Sequence, residues 1–275
     1  MSCPSRGYSP SGEKPSAVIA DWLEHKLIEV VGFSPATDED LKLAHAPSYV
    51  RGIFTGEIAN GHGSCSPDVA ESTRWTVGSL VAAARAAYAA GSITCSPSSG
   101  FHHAHYDKNH GFCTFNGLIV AARKLIDESN IATVGILDCD WHHGDGTQNI
   151  LNRLSLSEQI KHYSSGGQWL QSVTKYFAWL EASMSELVKM EVDLILYQAG
   201  ADAHRDDPLG GLLNNRELAE RDEFVFAQAS KHHIPIAWNL AGGYQRDQSG
   251  SIEKVLTIHR QTMLAARASL ADVDK

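Results

Sequence analysis

The segment Asp138-Cys139-Asp140-Trp141-His142-His143-Gly144-Asp145-Gly146 crowds carboxylates and a pair of imidazoles into one short stretch. Like charges packed so closely need a neutralising partner, and oxygen and imidazole donors suit a divalent ion such as zinc. Geometry sorts the donors. On an extended chain Asp138 and His142 lie roughly 13 Å apart, whereas Asp140 and His142 lie roughly 6.6 Å apart and can converge on one ion. Asp202, leaving Gln198-Ala199-Gly200-Ala201 through small residues, is the candidate third ligand. Three protein ligands leave a coordination position open, the mark of a catalytic rather than a structural site. Any one of these aspartates alone could simply cap a turn; the three together favour the metal reading.

His102 and His103, in Gly100-Phe101-His102-His103-Ala104, form a second constellation. Asp138 and Asp145 have no metal role in this scheme, and each is suited to hold one imidazole by its Nδ1 proton. A hydrolase needs a base for water and an acid for the leaving nitrogen, and two differently tuned histidines supply both. Tyr244 follows Gly242-Gly243, whose tight turn would place the phenol over the metal as a donor to an oxyanion. The pair His232-His233 reads as no more than a helix end.

These clusters need a scaffold that brings distant loops together. Apolar runs at Ile93–Cys95, Thr133–Asp138, Val192–Gln198 and Pro235–Leu240 read as buried strands. Amphipathic runs at Thr76–Ala90, Thr114–Glu128, Gln171–Glu191 and Asn215–His232 read as helices between them. The alternation predicts an α/β fold, a parallel sheet covered on both faces, with ligands beyond the carboxyl ends of the strands. Every polar cluster falls at such an end. Residues 1–75 are richer in Pro, Gly and Ser and predict less regular, loop-rich packing around the same core. No linker divides the chain, so 1–275 reads as one domain.

The ordered set GFHHA, GFCTFN, DCDWHHGDGTQ, GADAHRDDPLGG and AGGY, running from about Leu41 to Tyr244, resembles the histone deacetylase and acetylpolyamine amidohydrolase family of the arginase/deacetylase fold. The resemblance implies a three-layer α/β/α domain with a mostly parallel eight-stranded sheet. It implies zinc, with Fe²⁺ as the alternative, on Asp140, His142 and Asp202. His102 and His103 would be backed by Asp138 and Asp145, and Tyr244 would polarise the carbonyl. Gly111 and Phe112 would line a narrow tunnel for an acylated amine, with Leu209 on its rim. The dinuclear relatives of this fold would want D-x-H-x-D and D-x-D. Here those stretches read Asp140-Trp141-His142-His143-Gly144 and Asp202-Ala203-His204, so one catalytic ion is expected.

Two departures stand out. The family's usual Arg-Pro-Pro before the histidine pair is Pro97-Ser98-Ser99. The family also often holds potassium near Asp138 and Asp140 with a serine from a later strand; aligning Ile160-Lys161-His162-Tyr163 to that strand puts Lys161 at the serine position, where its ammonium could replace the ion.

Composition limits the alternatives. The chain has 275 residues with 23 basic and 32 acidic side chains, a net charge of −9. An acidic chain without a basic run disfavours nucleic acid. No stretch is apolar enough for a membrane helix, and Met1 to Pro15 lacks the features of a secretion signal, which predicts a cytoplasmic protein. Cys3, Cys65, Cys95, Cys113 and Cys139 are odd in number and scattered, suggesting reduced thiols. The expectation is a deacylase removing acetyl, or another short acyl group, from acetyl-lysine or an acetylpolyamine. The rival readings are an inactive acyl-lysine binder and a biosynthetic small-molecule deacylase. Homo-oligomerisation is left open.

Overall fold

The computed structural model describes residues 9–271; Cys3 and the start of the Met1–Pro15 segment lie outside them. The chain opens with four helices, α1 (Lys14–Glu24), α2 (Asp38–Lys42), α3 (Pro47–Thr55) and α4 (Pro67–Ala90). Strands and helices then alternate: β1 (Ile93–Ser96), α5 (Gly117–Glu128), β2 (Val134–Asp138), α6 (Asp145–Leu154) and β3 (Ile160–Ser164). The rest follows the same rule with α7 (Val173–Lys189), β4 (Leu194–Gln198), α8 (Asn215–Lys231), β5 (Ile236–Asn239) and α9 (Glu253–Ala271).

The five strands pair in the order β1-β5-β4-β2-β3, all parallel. Parallel neighbours need crossover connections, which is the job of the intervening helices. Every residue of β2 and β4 is buried, as apolar strands covered on both faces must be. Alternate residues serve opposite layers. Ile136, Leu196 and Ala237 pack against Leu80 and Ala84 of α4 and Leu118 and Ile119 of α5. Leu137, Ile195, Tyr197 and Trp238 pack on the other side against Trp22 of α1, Leu180 of α7, Phe226 of α8 and Ala266 of α9. Truncating a fully buried leucine such as Leu137 in either layer should cost about 2–5 kcal/mol.

The structure departs from expectation in several elements. Eight strands were implied, whereas the described residues form five. Ile28 to Val31 and Phe33 line a cavity of about 650 Å³ together with Ile93, Thr94 and Cys95 without joining the sheet, so β1 remains the edge. Residues 9–75 hold more regular structure than their composition predicts, because their Pro and Ser act as helix starts. Pro47 and Pro67 sit in the first turns of α3 and α4, and the Ser66 side chain accepts from Val69 N–H. Helices α6 and α9 had no forecast at all; on α9 the polar His259, Thr262 and Ser269 interrupt the buried face, a weak periodic signal.

Candidate active site

Register aligns the carboxyl ends of the strands. Ser96, Asn239, Gln198, Asp138 and Ser164 form one row across the sheet, and the loops that follow them meet above it. The candidate ligands come from two of those loops. His142 Nδ1 lies 3.0 Å from Asp202 Oδ2 and 3.2 Å from Asp140 Oδ1. One donor atom from each of Asp140, His142 and Asp202 falls within 4.8 Å of the others. Both carboxylates are buried.

This donor set fits a divalent cation on electrostatic grounds. Burial, and then the neighbouring charge of Asp140, pushes Asp202 up to about 7, so the second carboxylate ionises only at a cost unless positive charge joins it. Hydrogen bonds to Asp140 and Asp202 push His142 up to about 11, the same demand seen from the imidazole. Gly242 completes the cradle. Its N–H donates to Asp140 Oδ2 at 2.8 Å, and a Cβ there would lie 2.4 Å from Asp202 Cγ and 2.8 Å from Asp140 Oδ2. The left-handed backbone of the turn is carried by Ala241 (φ 52°) and Gly243 (φ 137°), so Gly242 is required for close approach.

The histidine pair stands beside the cradle, with ring centroids 4.0 Å apart. His102 Nδ1 meets Asp138 Oδ2 at 2.8 Å, and His103 Nδ1 meets Asp145 Oδ1 at 2.5 Å. The two rings are tuned in opposite directions. Burial works against charge on His102, but Asp138 and Asp140 overcome it and raise its pKa to about 9. Burial, reinforced by the charge of His102, lowers His103 to about 4 despite Asp145. One acid and one base therefore sit side by side at neutral pH.

Burial, with Asp140 and Asp202 nearby, holds the Tyr244 phenol protonated far above its usual range. Its ring lies 6.0 Å from that of Phe112. Gly111 (φ 52°) packs on His103, where a Cβ would lie 2.4 Å from Cδ2. Leu209 is one of the exposed large apolar residues, on the loop after Asp207. The predicted site residues thus come together, with Leu209 at the outside.

Three neighbours carried no role in the sequence reading. Asp207 accepts from Tyr244 N–H at 2.7 Å and from Leu209 N–H at 3.0 Å, tying two loops together; it lies inside the GADAHRDDPLGG stretch. Lys14 is fully buried and donates from Nζ to the carbonyls of Ala241 (2.5 Å) and Gly242 (3.0 Å). Burial lowers it to about 8 against the pull of Asp202, Asp140 and Asp207. Gln198 Nε2 donates to Asp138 Oδ1 at 3.0 Å. Neither Lys14 nor Gln198 had a signal beyond being polar.

Lys161 does not occupy the place the alignment assigned to it. It pairs with Gly135, and its Nζ donates to Ser157 O at 2.8 Å. The residue opposite Asp138 is Ser164, whose Oγ accepts from Gly144 N–H at 3.0 Å. Strand register sets the pairing three residues further on, so the Lys161 ammonium does not stand in for a potassium ion beside Asp138.

The Histone deacetylase domain model matches residues 11–165 and 156–259. The chain belongs to that family. Histone deacetylase-family proteins are hydrolases, and this chain is a deacetylase by class. It is 24% identical over 77% of its length, and 73% of the relative's, to a probable deacetylase of Methanothermobacter thermautotrophicus. It is 29% identical to the acetoin utilization protein AcuC of Staphylococcus aureus over 63% of this chain and 55% of that protein. Its fold matches a crystal structure of acetylpolyamine aminohydrolase from Burkholderia pseudomallei with a TM-score of 0.75 at 18% identity, covering 94% of this chain and 91% of that one. Among the described residues, no helix is long and apolar enough to cross a membrane.

Proposed function

We propose that this deacetylase is a zinc-dependent amidohydrolase that removes an acetyl or other short acyl group from an amine, with acetyl-lysine or an acetylpolyamine as substrate. The observation that carries the reading is the convergence of Asp140, His142 and Asp202 donors within 4.8 Å, beside a histidine pair of opposed basicity. Bound there, the ion would supply Lewis acidity to the scissile carbonyl. The protein's own groups divide the remaining work. His103, neutral at pH 7 and oriented through Nδ1 by Asp145, accepts the proton of the attacking water at Nε2. His102, held charged by Asp138, keeps positive charge beside the developing oxyanion. The Tyr244 phenol donates to that oxygen, and the proton stored on His103 passes to the departing nitrogen. The Phe112 ring, 6.0 Å from that of Tyr244, helps shield the amide from bulk water.

A potassium ion near Asp138 belongs to the same proposal, with Ser164 as its side-chain neighbour in place of Lys161. The test is acetate release from an acetyl-lysine peptide and from acetylputrescine in parallel. Activity should vanish with a chelator and return with Zn²⁺. Chelator-resistant hydrolysis, or tight substrate binding with no acetate released by the zinc-loaded protein, contradicts the reading.

A further inference from the structure

Asp145 is met by more imidazole than the proposed chemistry uses. Its Oδ1 holds His103, while its Oδ2 faces His105 Nε2 at 3.1 Å and His110 Nδ1 at 3.7 Å. His105 and His110 come from one loop, folded back by His105 N–H on Lys108 O (2.9 Å) and by the paired backbone of His110 and Cys113. Among the described residues, Asp145 is the only polar side-chain partner of the His105 ring, whose Nδ1 is buried without one. His110 is 62% exposed, so the cluster opens to solvent.

We propose that Asp145, His105 and His110 form a second site for a divalent transition-metal cation, separate from Asp140, His142 and Asp202, through which excess cation slows turnover. The spacing fits. Donors bonded to a tetrahedral zinc at about 2.0–2.1 Å stand about 3.3 Å from one another. The two imidazole nitrogens bracket that distance from Asp145 Oδ2, and the exposed His110 ring is free to adjust. Donor atoms of His103, His110 and Asp145 also lie within 4.8 Å of one another, so the cation would sit against His103. Two imidazoles and one carboxylate select zinc or a similar ion over magnesium, which prefers an octahedron of oxygens. A cation on Oδ2 draws electron density from the carboxylate that orients His103 and adds positive charge beside that ring. Binding stands independently of the proposed function; the slowing rests on it.

Equilibrium dialysis against Zn²⁺ tests the binding. Wild type should load two ions per chain, and His110→Ala should load one. Asp202→Ala, with its own cradle broken, should also load one. Equal loading of wild type and His110→Ala overturns the site, whatever a deacetylase assay shows, and His105→Gln provides a second variant if His110→Ala misfolds. In the assay, Zn²⁺ beyond one equivalent should slow wild type while Mg²⁺ does not. His110→Ala should need at least ~10-fold more Zn²⁺ for the same slowing, since even an outer-shell change at a metal site costs that much affinity. Its rate at one equivalent should match wild type. Superimposable inhibition curves overturn the regulatory role while leaving the deacetylase reading untouched.

Discussion

Asp207 accepts the backbone N–H of Tyr244 at 2.7 Å, so the loop that presents the phenol is anchored by a carboxylate from the loop that follows β4. The second oxygen of the same carboxylate takes Leu209 N–H at 3.0 Å, which couples the phenol to the rim. Burial raises Asp207 to about 6, so it is mostly ionised at neutral pH and accepts at both oxygens. In Asp207→Asn one oxygen becomes an NH₂ group facing a backbone N–H. Losing one charge-assisted hydrogen bond costs about 1.5–3 kcal/mol, so kcat should fall about ten-fold or more. Zinc content should stay unchanged, because the residue touches none of the three ligands. A parallel loss of metal would show that Asp207 supports the cradle rather than Tyr244.

Tyr244→Phe separates the donor from the ring. The phenyl keeps the packing with Phe112, so folding and metal content should match wild type. Removing one oxyanion donor lowers turnover about 10²–10³-fold. Asp202→Ala should do the opposite, losing the catalytic ion as well as activity. Metal analysis beside single-turnover rates checks both, and a fully active Tyr244→Phe enzyme would remove the phenol from the proposed chemistry.

Gly242→Ala tests the cradle without replacing a ligand. The added methyl would stand 2.4 Å from Asp202 Cγ and 2.8 Å from Asp140 Oδ2, closer than nonbonded atoms tolerate. Since both carboxylates are buried between β2 and β4 loops, one must move. Zinc affinity measured by competition with a chromophoric chelator should drop at least ~10-fold. An unchanged affinity would mean that the loop yields instead.

Most of the site was legible because its residues are chemically conspicuous and lie just beyond strands that are recognisable by apolar runs. Asp138 and Asp140 end a fully apolar strand, and Asp202 follows another, so their meeting at one edge follows from parallel pairing alone. What stayed hidden depends on register and packing. Ser164 rather than Lys161 opposes Asp138 because β3 is offset by three residues, and a five-residue strand offers no internal mark of its register. Lys14 reaches Ala241 and Gly242 across more than 220 residues of sequence, from a helix whose charged residue gives no hint that it is buried. Helices α1 to α3 escaped notice because Pro and Ser cap helices as readily as they make loops.

Buried neutral histidines set an acid limit on stability. His45 is fully buried, with Nδ1 against His105 O at 2.8 Å and Nε2 accepting from Asn116 N–H at 2.8 Å. Burial lowers its pKa from 6.5 to about 4. Above pH 6.5 the ring is neutral folded and unfolded, and it contributes no pH dependence. As pH falls from 6.5 toward 4 the unfolded chain binds a proton that the folded protein refuses, so stability is lost across that window and levels off below it. The loss from this one residue is on the order of 3 kcal/mol. His45→Gln removes the titrating ring and should flatten part of the fall in Tm between pH 6.5 and 4, at the cost of a lower Tm at pH 7. A wild-type slope retained in full by the variant would assign the acid sensitivity to other groups.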